Sequence, residues 1–292
     1  MIVVFGSINL DLIFPLPHIP RSGETVLGPS VRIEPGGKGA NQAVAAARDG
    51  VRVIMAGAVG RDALAEGALA LLRDAGVDLS RVIAAEASTG CAAISVDPLG
   101  NNAIAVGSGA NLMAREAQIE DALLGPATTL MLQMEVPASE TAALIRRARA
   151  RGARIILNLA PAAALPPDAL RAVDLLLVNE TEGDWLADHL GVRGGGAALR
   201  AALGTSVVRT LGGEGLEAAT AERTWRVPAR AITPVDTTAA GDCFAGVLAA
   251  ALDRGTGLDR ALHRATAAAA LCCTRAGSQS SLPSAAAIDS FG

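Results

Sequence analysis

The chain has 292 residues, 51% of them hydrophobic and 18% charged, and its formal net charge is −4 at pH 7. This composition supports a large buried core and excludes an intrinsically disordered chain. The small negative charge and an aromatic content of 2% argue against a nucleic-acid partner, an anionic membrane surface or a platform for stacked bases.

The N-terminal segment MIVVFGSINLDL has no basic region before its apolar residues. It is therefore interpreted as a strand and not as a signal peptide. No apolar run reaches the roughly 18 residues that a membrane-spanning helix needs. The four cysteines, which show neither C-x-x-C nor Cys/His metal spacing, are Cys91, Cys243, Cys272 and Cys273. We expect a soluble cytoplasmic protein.

Short apolar runs alternate with Ala-, Leu- and Arg-rich helical patterns along most of the chain. The predicted strands are 2–6, 52–60, 128–135, 154–160, 175–180 and 205–212, and the predicted helices are 39–50, 62–78, 140–153, 167–174 and 181–191. Continuous apolar strands separated by helices indicate a parallel sheet with helices on both faces. The expected fold class is therefore α/β, with three α/β/α layers and a mostly parallel central sheet.

Two segments interrupt this alternation. Residues 10–35 are Pro-rich and extended, and residues 88–106 have the pattern of a hairpin. We expect them to form a small antiparallel β lid over the carboxyl edge of the sheet, where open α/β sheets bind their ligands. The Gly-rich stretch 191–200 follows no strand and is predicted to be a loop.

The stretch ITPVDTTAAGDCFAGVLAAAL, residues 232–252, reads as a strand that ends at Val235, a turn of small residues and a long apolar helix. Free N–H groups of Ala239, Ala240 and Gly241 at that helix start would form a cradle for an anion. Asp242 lies in the same first turn, where the helix dipole favours a carboxylate. A helix-capping role for Asp242 is an equally good alternative on this pattern alone.

The only lysine of the chain, Lys38, lies among Gly36, Gly37 and Gly39 before a predicted helix. A phosphate-binding P-loop is excluded because glycine, and not Ser or Thr, follows the lysine. Backbone N–H groups for a ligand hydroxyl and an ammonium for a phosphate are the functional interpretation. A solvated lysine in a turn is the alternative.

The segment GGEGLEA, residues 212–218, fits the spacing G-x-G-x-x-A of a dinucleotide fingerprint. A hairpin-like pattern with Pro228 follows it instead of a helix, so we expect a turn that contacts a nucleotide and no dinucleotide-binding unit. Other isolated polar residues near predicted strand ends are Asn9, Asp11, Glu135 and the run from Asn179 to Glu182.

Ten segments in the same order resemble the ribokinase-like (PfkB-type) sugar kinases: GSINLD, SGETVLG, GGKGANQAVAA, STG, GAN, MLQMEVP, NETE, TLGGEG, DTTAAGD and TRAGSQSSLP. GGKGANQA and DTTAAGDCFAG match the two signatures of that family. The resemblance implies one carbohydrate kinase domain over 1–292, with the lid formed by about 10–35 and 88–106. It also implies transfer of the γ-phosphoryl group of ATP to the 5-hydroxyl of D-ribose.

The resemblance further implies roles for individual residues. Asp242 would be the catalytic base, Ala239, Ala240 and Gly241 the anion hole, and Lys38 a cation near the transferred group. The sugar site would consist of Asn9, Asp11, Gly37, Lys38, Asn41, Glu135 and Asp242. The nucleotide site would consist of Asn179, Thr210, Leu211, Gly212, Gly213, Glu214, Gly215 and Gly241.

The same resemblance implies two metal ions and an oligomeric state. Asn179 and Glu182 would hold hydrated Mg²⁺ indirectly. K⁺ would be held by Asp236, Thr238, Cys272, Arg275, Gly277 and Ser281, mostly through backbone carbonyls. A homodimer joined through the lids is expected. Departures from the family pattern include Ala239, which replaces a frequent Gly, and Thr266, which replaces a frequent His beside the adenine.

Two alternatives stay open at this point. Another kinase of the same family would phosphorylate deoxyribose, fructose or a nucleoside. A catalytically silent sugar-binding or regulatory protein would keep the fold without the reaction. The complete set of Asp242 and anion-hole residues argues against the silent protein.

Overall fold

The structure, a computed structural model, describes residues 1–99 and 101–291. Its first half contains β1 (Ile2–Phe5), β2 (Asn9–Pro15), β3 (Arg32–Gly36), α1 (Lys38–Arg48), β4 (Val53–Gly60), α2 (Ala63–Asp74), β5 (Asp78–Ala85), β6 (Gly90–Val96), β7 (Asn102–Gly107) and β8 (Thr129–Leu132). Its second half contains α3 (Ala138–Arg151), β9 (Arg154–Asn158), α4 (Pro167–Ala172), β10 (Leu175–Val178), α5 (Glu180–Leu190), α6 (Gly196–Leu203), β11 (Ser206–Thr210), β12 (Leu216–Ala219), β13 (Thr224–Val227), α7 (Ala240–Asp253), α8 (Leu258–Cys272) and α9 (Ala285–Phe291).

The larger sheet of the described chain has the strand order β13-β12-β11-β10-β9-β8-β1-β4-β5. Its pairs are parallel except at one end, where β12 pairs antiparallel with β11 and with β13. The central strands β1, β8 and β10 are buried along their whole length. Continuous burial explains their unbroken apolar sequences, since helices cover both faces of the sheet.

Separate apolar cores lie on the two faces of this sheet. One joins the strands to α1, α7 and α8, and the other joins them to α3, α4, α5 and α6. Helix α7 is buried from Asp242 to Ala251 and packs against both α1 and α8. At Gly246 a Cβ would stand 2.5 Å from the Gln42 carbonyl oxygen of α1, so only glycine permits this approach of the two helices. The predicted three-layer α/β/α fold is confirmed.

A second, four-stranded sheet has the order β3-β2-β6-β7 and comes from the two segments predicted as a lid. Its outer pairs, β2 with β3 and β6 with β7, are antiparallel, but the central pair of β2 and β6 is parallel. The lid is thus a mixed sheet, because β2 and β6 are separated by a long crossover instead of a hairpin turn. Residues 16–31 contain no strand.

Two predicted elements are wrong. Residues 191–200 were expected to be a loop, but α6 begins at Gly196 and buries Leu199 and Leu203 against the core. The strand predicted to end at Val235 is absent from the described structure, where 228–236 contains no helix or strand. The Val235 N–H donates to the Cys273 carbonyl oxygen beyond α8 at 2.8 Å, so a helix end, and not a neighbouring strand, binds this segment.

No helix within residues 1–99 and 101–291 combines the length and apolar character needed to cross a membrane.

Candidate active site

The predicted sugar-site residues converge where the lid sheet meets the starts of α1 and α7. Asn9 and Asp11 lie on β2 of the lid, Lys38 and Asn41 lie in the first turn of α1, and Asp242 lies in the first turn of α7. Glu135 follows β8 of the larger sheet. Only glycine at position 37 lets the start of α1 approach β2 this closely. Gly37 has φ +87°, and a Cβ there would stand 2.8 Å from the Asn9 nitrogen.

The Asp242 carboxylate is 6% exposed and is held by two amide side chains of α1. Asn41 Nδ2 donates to Oδ2 at 2.9 Å, and Gln42 Nε2 donates to Oδ1 at 2.9 Å. Gln42 is itself oriented by Gln133, whose Nε2 donates to Gln42 Oε1 at 2.6 Å. Amide donors on both oxygens fix the plane of the carboxylate. Each oxygen keeps a further lone pair with which it can accept a proton.

Asp11 and Asn41 each present a buried oxygen without a hydrogen-bond partner among the described residues. These atoms are Asp11 Oδ1 and Asn41 Oδ1. The Asp11 carboxylate lies directly over Gly36, where a Cβ would stand 2.1 Å from Oδ2. Buried oxygens without partners are costly, and ligand hydroxyls are groups that would satisfy both.

Burial raises the pKa of the Asp11 carboxyl to about 7, and the nearby carboxylates of Glu135 and Glu34 act in the same direction. Asp11 is 8% exposed, which agrees with burial as the main cause. A ligand that donates hydroxyl hydrogen bonds to Asp11 would favour its ionised form.

Asn9 is fixed by a neighbouring asparagine. Asn111 Nδ2 donates to Asn9 Oδ1 at 2.7 Å, and Asn111 Oδ1 accepts the Ile8 N–H at 2.9 Å.

Glu135 Oε2 accepts from Ser7 Oγ and, at 3.0 Å, from the Lys38 N–H. Glu135 therefore positions the start of α1 and is available to a sugar only through its second oxygen.

Lys38 lines the same cavity as the Asp242 carboxylate. That charge raises the pKa of Lys38 above its ordinary value, although burial acts in the opposite direction. Lys38 therefore stays an ammonium at neutral pH. Together with Asp242, Gly241 and Glu182 it lines a cavity of about 210 Å³ in front of α7.

The first residues of α7 line the same cavity. Ala239 precedes the helix with φ +59°, and it is the one non-glycine residue with positive φ in the described chain. The Ala240 N–H contacts the Thr237 carbonyl oxygen at 3.3 Å, whereas the N–H groups of Ala239 and Gly241 have no hydrogen-bond partner among the described residues. Free N–H groups at a helix start are suited to an anion, and Ala240 would contribute less than its neighbours.

A second cavity of about 440 Å³ shares Thr210, Ala240 and Gly241 with the first. Gly212, Gly213 and Gly215 line it, in the turn between β11 and β12. This turn joins the antiparallel strands β11 and β12, and the hairpin predicted after it is the antiparallel pair of β12 and β13, so the turn opens no βαβ unit. Leu211 is buried and Glu214 is exposed, and neither lines the cavity. The opposite wall comes from 229–232 and from Thr266, Ala269 and Ala270 of α8.

Thr266 Oγ1 donates to the Leu262 carbonyl oxygen at 2.9 Å within its own helix. Thr266 therefore has no hydroxyl hydrogen left to donate to a base and can only accept a hydrogen bond from it. The rest of this wall consists mainly of small apolar side chains.

Asn179 and Glu182 form a reciprocal cap at the start of α5. Asn179 Oδ1 accepts the Glu182 N–H at 2.8 Å, and Glu182 Oε2 accepts the Asn179 N–H at 2.8 Å. Burial raises the pKa of Glu182. Both residues line the 210 Å³ cavity, where one Glu182 oxygen is left for water or a hydrated cation.

The residues predicted to bind K⁺ also come together. Asp236 Oδ1 accepts the Thr238 N–H at 2.9 Å, and Oδ2 accepts the Gly277 N–H at 3.0 Å. Burial alone would raise the pKa of Asp236, but these hydrogen bonds outweigh it and the pKa is lowered.

The segments 236–238 and 272–281, which the Asp236 bond to Gly277 joins, are also in contact at Cys272. Cys272 Sγ lies 3.0 Å from Ser281 Oγ and 3.9 Å from the Thr238 carbonyl oxygen. The Arg275 N–H donates to the Cys272 carbonyl oxygen at 3.2 Å, which leaves that oxygen one lone pair for an ion. The Asp236 carboxylate and the carbonyl oxygens of Thr238 and Cys272 are of the oxygen-ligand type that a hard cation prefers.

Within residues 1–99 and 101–291 no cluster of three or more His, Cys, Asp or Glu side chains has the arrangement of a metal site. All four cysteines are free.

Four residues that hold this site were missed by the sequence reasoning: Ser7, Gln42, Asn111 and Gln133. Gln42 follows Asn41 inside the quoted signature GGKGANQA, so its motif was visible while its contact with Asp242 was not. Ser7 and Gln133 lie next to predicted residues, in GSINLD and MLQMEVP, but their partners are distant in sequence.

The model of the pfkB family carbohydrate kinases matches residues 1–285. The chain belongs to this family. A ribokinase from Haemophilus influenzae is 33% identical over 291 residues, which cover 97% of this chain and 95% of that protein. A deoxyribokinase from Salmonella typhi is 33% identical over 297 residues, with 97% and 95% coverage.

A solved structure of Arabidopsis thaliana ribokinase complexed with ribose and ATP is 29% identical, with a TM-score of 0.88 and coverage of 99% of this chain and 97% of that chain. Family membership makes this protein an ATP-dependent carbohydrate kinase. The silent-protein alternative loses its support, because the family chemistry and an intact site occur together.

Proposed function

We propose that this protein transfers the γ-phosphoryl group of ATP to the 5-hydroxyl of D-ribose, giving ribose 5-phosphate and ADP. The observation that carries the proposal is the pair of buried, unpartnered oxygens, Asp11 Oδ1 and Asn41 Oδ1, beside the Asp242 carboxylate. A small polyol supplies the hydroxyl donors that these oxygens lack. The similarity to ribokinases over almost the whole chain agrees with this acceptor.

Asp11 is proposed to accept two vicinal hydroxyls of the sugar, one on each oxygen, in charge-assisted hydrogen bonds. Asn9, Gly37 and Glu135 complete the sugar site. This binding places the 5-hydroxyl next to Asp242.

Asp242 is proposed to accept the proton of the 5-hydroxyl while that oxygen bonds to the γ-phosphorus. The bond from the γ-phosphorus to the bridging oxygen breaks, and ADP leaves with the electron pair. Phosphoryl transfer depends mainly on positioning and on stabilisation of charge at the transferred group. The N–H groups at 239–241 and the Lys38 ammonium supply that stabilisation. Nucleotide is proposed to occupy the 440 Å³ cavity, with Asn179 and the 210–215 turn as further contacts.

Mg²⁺ and K⁺ are part of the proposal. Mg²⁺ would neutralise phosphate charge, and it fits beside the free oxygen of Glu182, with Asn179 holding the helix start. K⁺ would be held by Asp236, Thr238, Cys272, Arg275, Gly277 and Ser281. The bonds from the Thr238 and Gly277 N–H groups to Asp236 and the contact of Cys272 Sγ with the Thr238 carbonyl oxygen bring these residues together. These residues fix the loop that precedes the anion hole.

One carbohydrate kinase domain that acts in the cytoplasm as a homodimer completes the proposal. The lid supports the dimer, since its exposed large apolar side chains include Ile33, Ile104 and Val106, at 60%, 56% and 51% exposure. Exposed apolar side chains grouped on one small sheet are typical of an interface.

The test is ADP release from ATP in the presence of single candidate acceptors: D-ribose, 2-deoxy-D-ribose, D-fructose and nucleosides. The expected result is the highest kcat/KM for ribose. A clear preference for another acceptor would show that ribose is not the substrate, while the protein would still be a kinase. The similarity to the deoxyribokinase makes 2-deoxyribose the second candidate. Loss of the 2-hydroxyl removes one possible donor to Asp11, which favours ribose in this site.

A further inference from the structure

Strand β3 of the lid is tied to the segment 277–281 through three consecutive residues. Glu34 Oε2 accepts the Ser278 N–H at 2.9 Å and lies 3.4 Å from Ser280 Oγ. The Pro35 carbonyl oxygen accepts from Ser278 Oγ at 2.8 Å, and the Gly36 carbonyl oxygen accepts from Gln279 Nε2 at 3.4 Å. Ser278 and Gln279 are 1% and 0% exposed, so the donor residues of three of these bonds are buried, whereas Glu34 is half-buried and Ser280 is exposed.

The other edge of β3 lies against the sugar-binding strand. Glu34 is paired with Asp11, and Gly36 is paired with Asn9, in the antiparallel register of β2 and β3. The Asp11 carboxylate rests on Gly36. A displacement of β3 therefore moves Gly36, on which the Asp11 carboxylate packs.

The segment 277–281 also contains two of the six residues of the proposed K⁺ site, Gly277 and Ser281. Its Gly277 N–H holds Asp236, and its Ser281 Oγ contacts Cys272. Gly277 has φ +107°, and a Cβ there would stand 2.6 Å from Glu34 Oε2. One short segment thus contacts the cation-site carboxylate on one side and the lid carboxylate on the other.

We propose that Glu34 is a positioning residue that couples occupancy of the cation site to sugar binding. This inference rests on the K⁺ site of the proposed function. A cation that orders 277–281 presents the Ser278 N–H to Glu34 and fixes β3 beneath Asp11. Coupling between two binding sites is reciprocal, so ribose also strengthens cation binding.

The experiment measures ribose affinity without nucleotide by isothermal titration calorimetry. The wild-type protein is compared in KCl and in tetramethylammonium chloride at equal ionic strength. We expect ribose to bind at least about fivefold more tightly in KCl, the lower end of typical coupling between sites. Equal ribose affinity in the two salts would overturn the proposal.

Two substitutions distinguish the hydrogen bond from the Ser278 N–H to Glu34, which we call the tether, from an effect of the Glu34 charge. Glu34→Ala removes the acceptor of the Ser278 N–H and should abolish the KCl effect on ribose affinity. Glu34→Gln loses the charge near Asp11 but keeps an acceptor oxygen, and should retain most of the effect. Equal loss in both variants would assign the effect to charge and would refute the tether. Glu24→Ala is the control, since its partners His18 and Arg21 belong to the lid segment itself.

The effect of K⁺ on the melting temperature reports whether the cation site itself is intact in each variant. K⁺ should raise the melting temperature of the ribose-free protein equally in the wild type and in both Glu34 variants. Loss of this stabilisation in Glu34→Ala alone would make Glu34 part of the cation site and would overturn a coupling role. Absence of K⁺ stabilisation in the wild type would remove the cation site and the coupling together. Failure of the proposed function is a different result, namely no ADP release with ribose.

Discussion

Replacement of Asp11 by Asn should stabilise the unliganded protein and weaken its binding of ribose. Asp11 is buried, one of its oxygens has no partner in the described chain, and its pKa is raised from 3.8 to about 7. Between these values the folded protein keeps the Asp11 proton while the unfolded chain loses it. Rising pH therefore destabilises the folded state over this range, and above about pH 7 the penalty is constant.

The expected magnitude follows from the size of the pKa change. A rise of about three pH units, at about 1.4 kcal/mol for each unit, corresponds to a penalty of about 4 kcal/mol above pH 7. Asn has nearly the shape of Asp and cannot ionise. The free energy of unfolding of Asp11→Asn should thus exceed that of the wild type by this order at pH 8, and by progressively less towards pH 5.

Urea unfolding at pH 5, 6, 7 and 8 measures this difference. Asp188→Asn is the control, because Asp188 is exposed and its side chain has no hydrogen bond or ion pair among the described residues. A difference between Asp11→Asn and wild type that stays constant from pH 5 to pH 8 would refute the reasoning. Ribose binding to the wild type should also release protons near pH 6, since sugar hydroxyls favour the ionised carboxyl; calorimetry in buffers of different ionisation enthalpy detects this release.

Three further substitutions test the site and the lid. Asp242→Asn should lower kcat by roughly 10²–10⁴-fold with an unchanged circular dichroism spectrum, the loss typical of a missing general base, and near-normal turnover would remove Asp242 from the mechanism. Lys38→Arg should impair turnover in steady-state assays although the charge is kept, because a planar guanidinium is bulkier than an ammonium in the 210 Å³ cavity; wild-type kinetics would make Lys38 incidental. Ile104→Asp should convert a dimer into a monomer in sedimentation equilibrium, since it places a charge on the apolar lid face, and a monomeric wild type would contradict the lid dimer.

The fold could be predicted because its signals are local. Buried parallel strands are continuous apolar runs, and the strands β1, β8 and β10 are of this kind. The loop predicted at 191–200 was wrong because its glycines hid the start of a helix. The apolar pair that identifies α6, Leu199 and Leu203, extends beyond the segment that was considered.

The strand predicted at 232–235 failed for a different reason. Its β-branched residues favour an extended backbone, and the segment has no neighbouring strand to pair with. Pro234 has no N–H, and the Val235 N–H is taken by the carbonyl oxygen of Cys273. The pairing partner of a segment is a long-range property that its own sequence does not contain.

In the site, too, local motifs could be predicted from the sequence and long-range contacts could not. The motifs brought out Asp11, Lys38, Asn41 and Asp242, but not the contacts that orient them. The bond from Gln42 to Asp242 joins residues 200 positions apart, and the bond from Ser278 to Glu34 joins residues 244 positions apart. Such contacts exist only after α1, α7 and β3 have packed.

The close approach of α1 and α7 at Gly246 has a consequence for how acceptor preference can change. The proposed base and the amides that orient it belong to these two helices, whose spacing is set by one glycine. Asn9 and Asp11 belong to the separate lid sheet. Substitutions in the lid can therefore alter which hydroxyls are recognised while the machinery that moves the proton stays intact. Variants with a new acceptor are best sought in β2, β3 and β6, with Gly246 and its neighbours left unchanged.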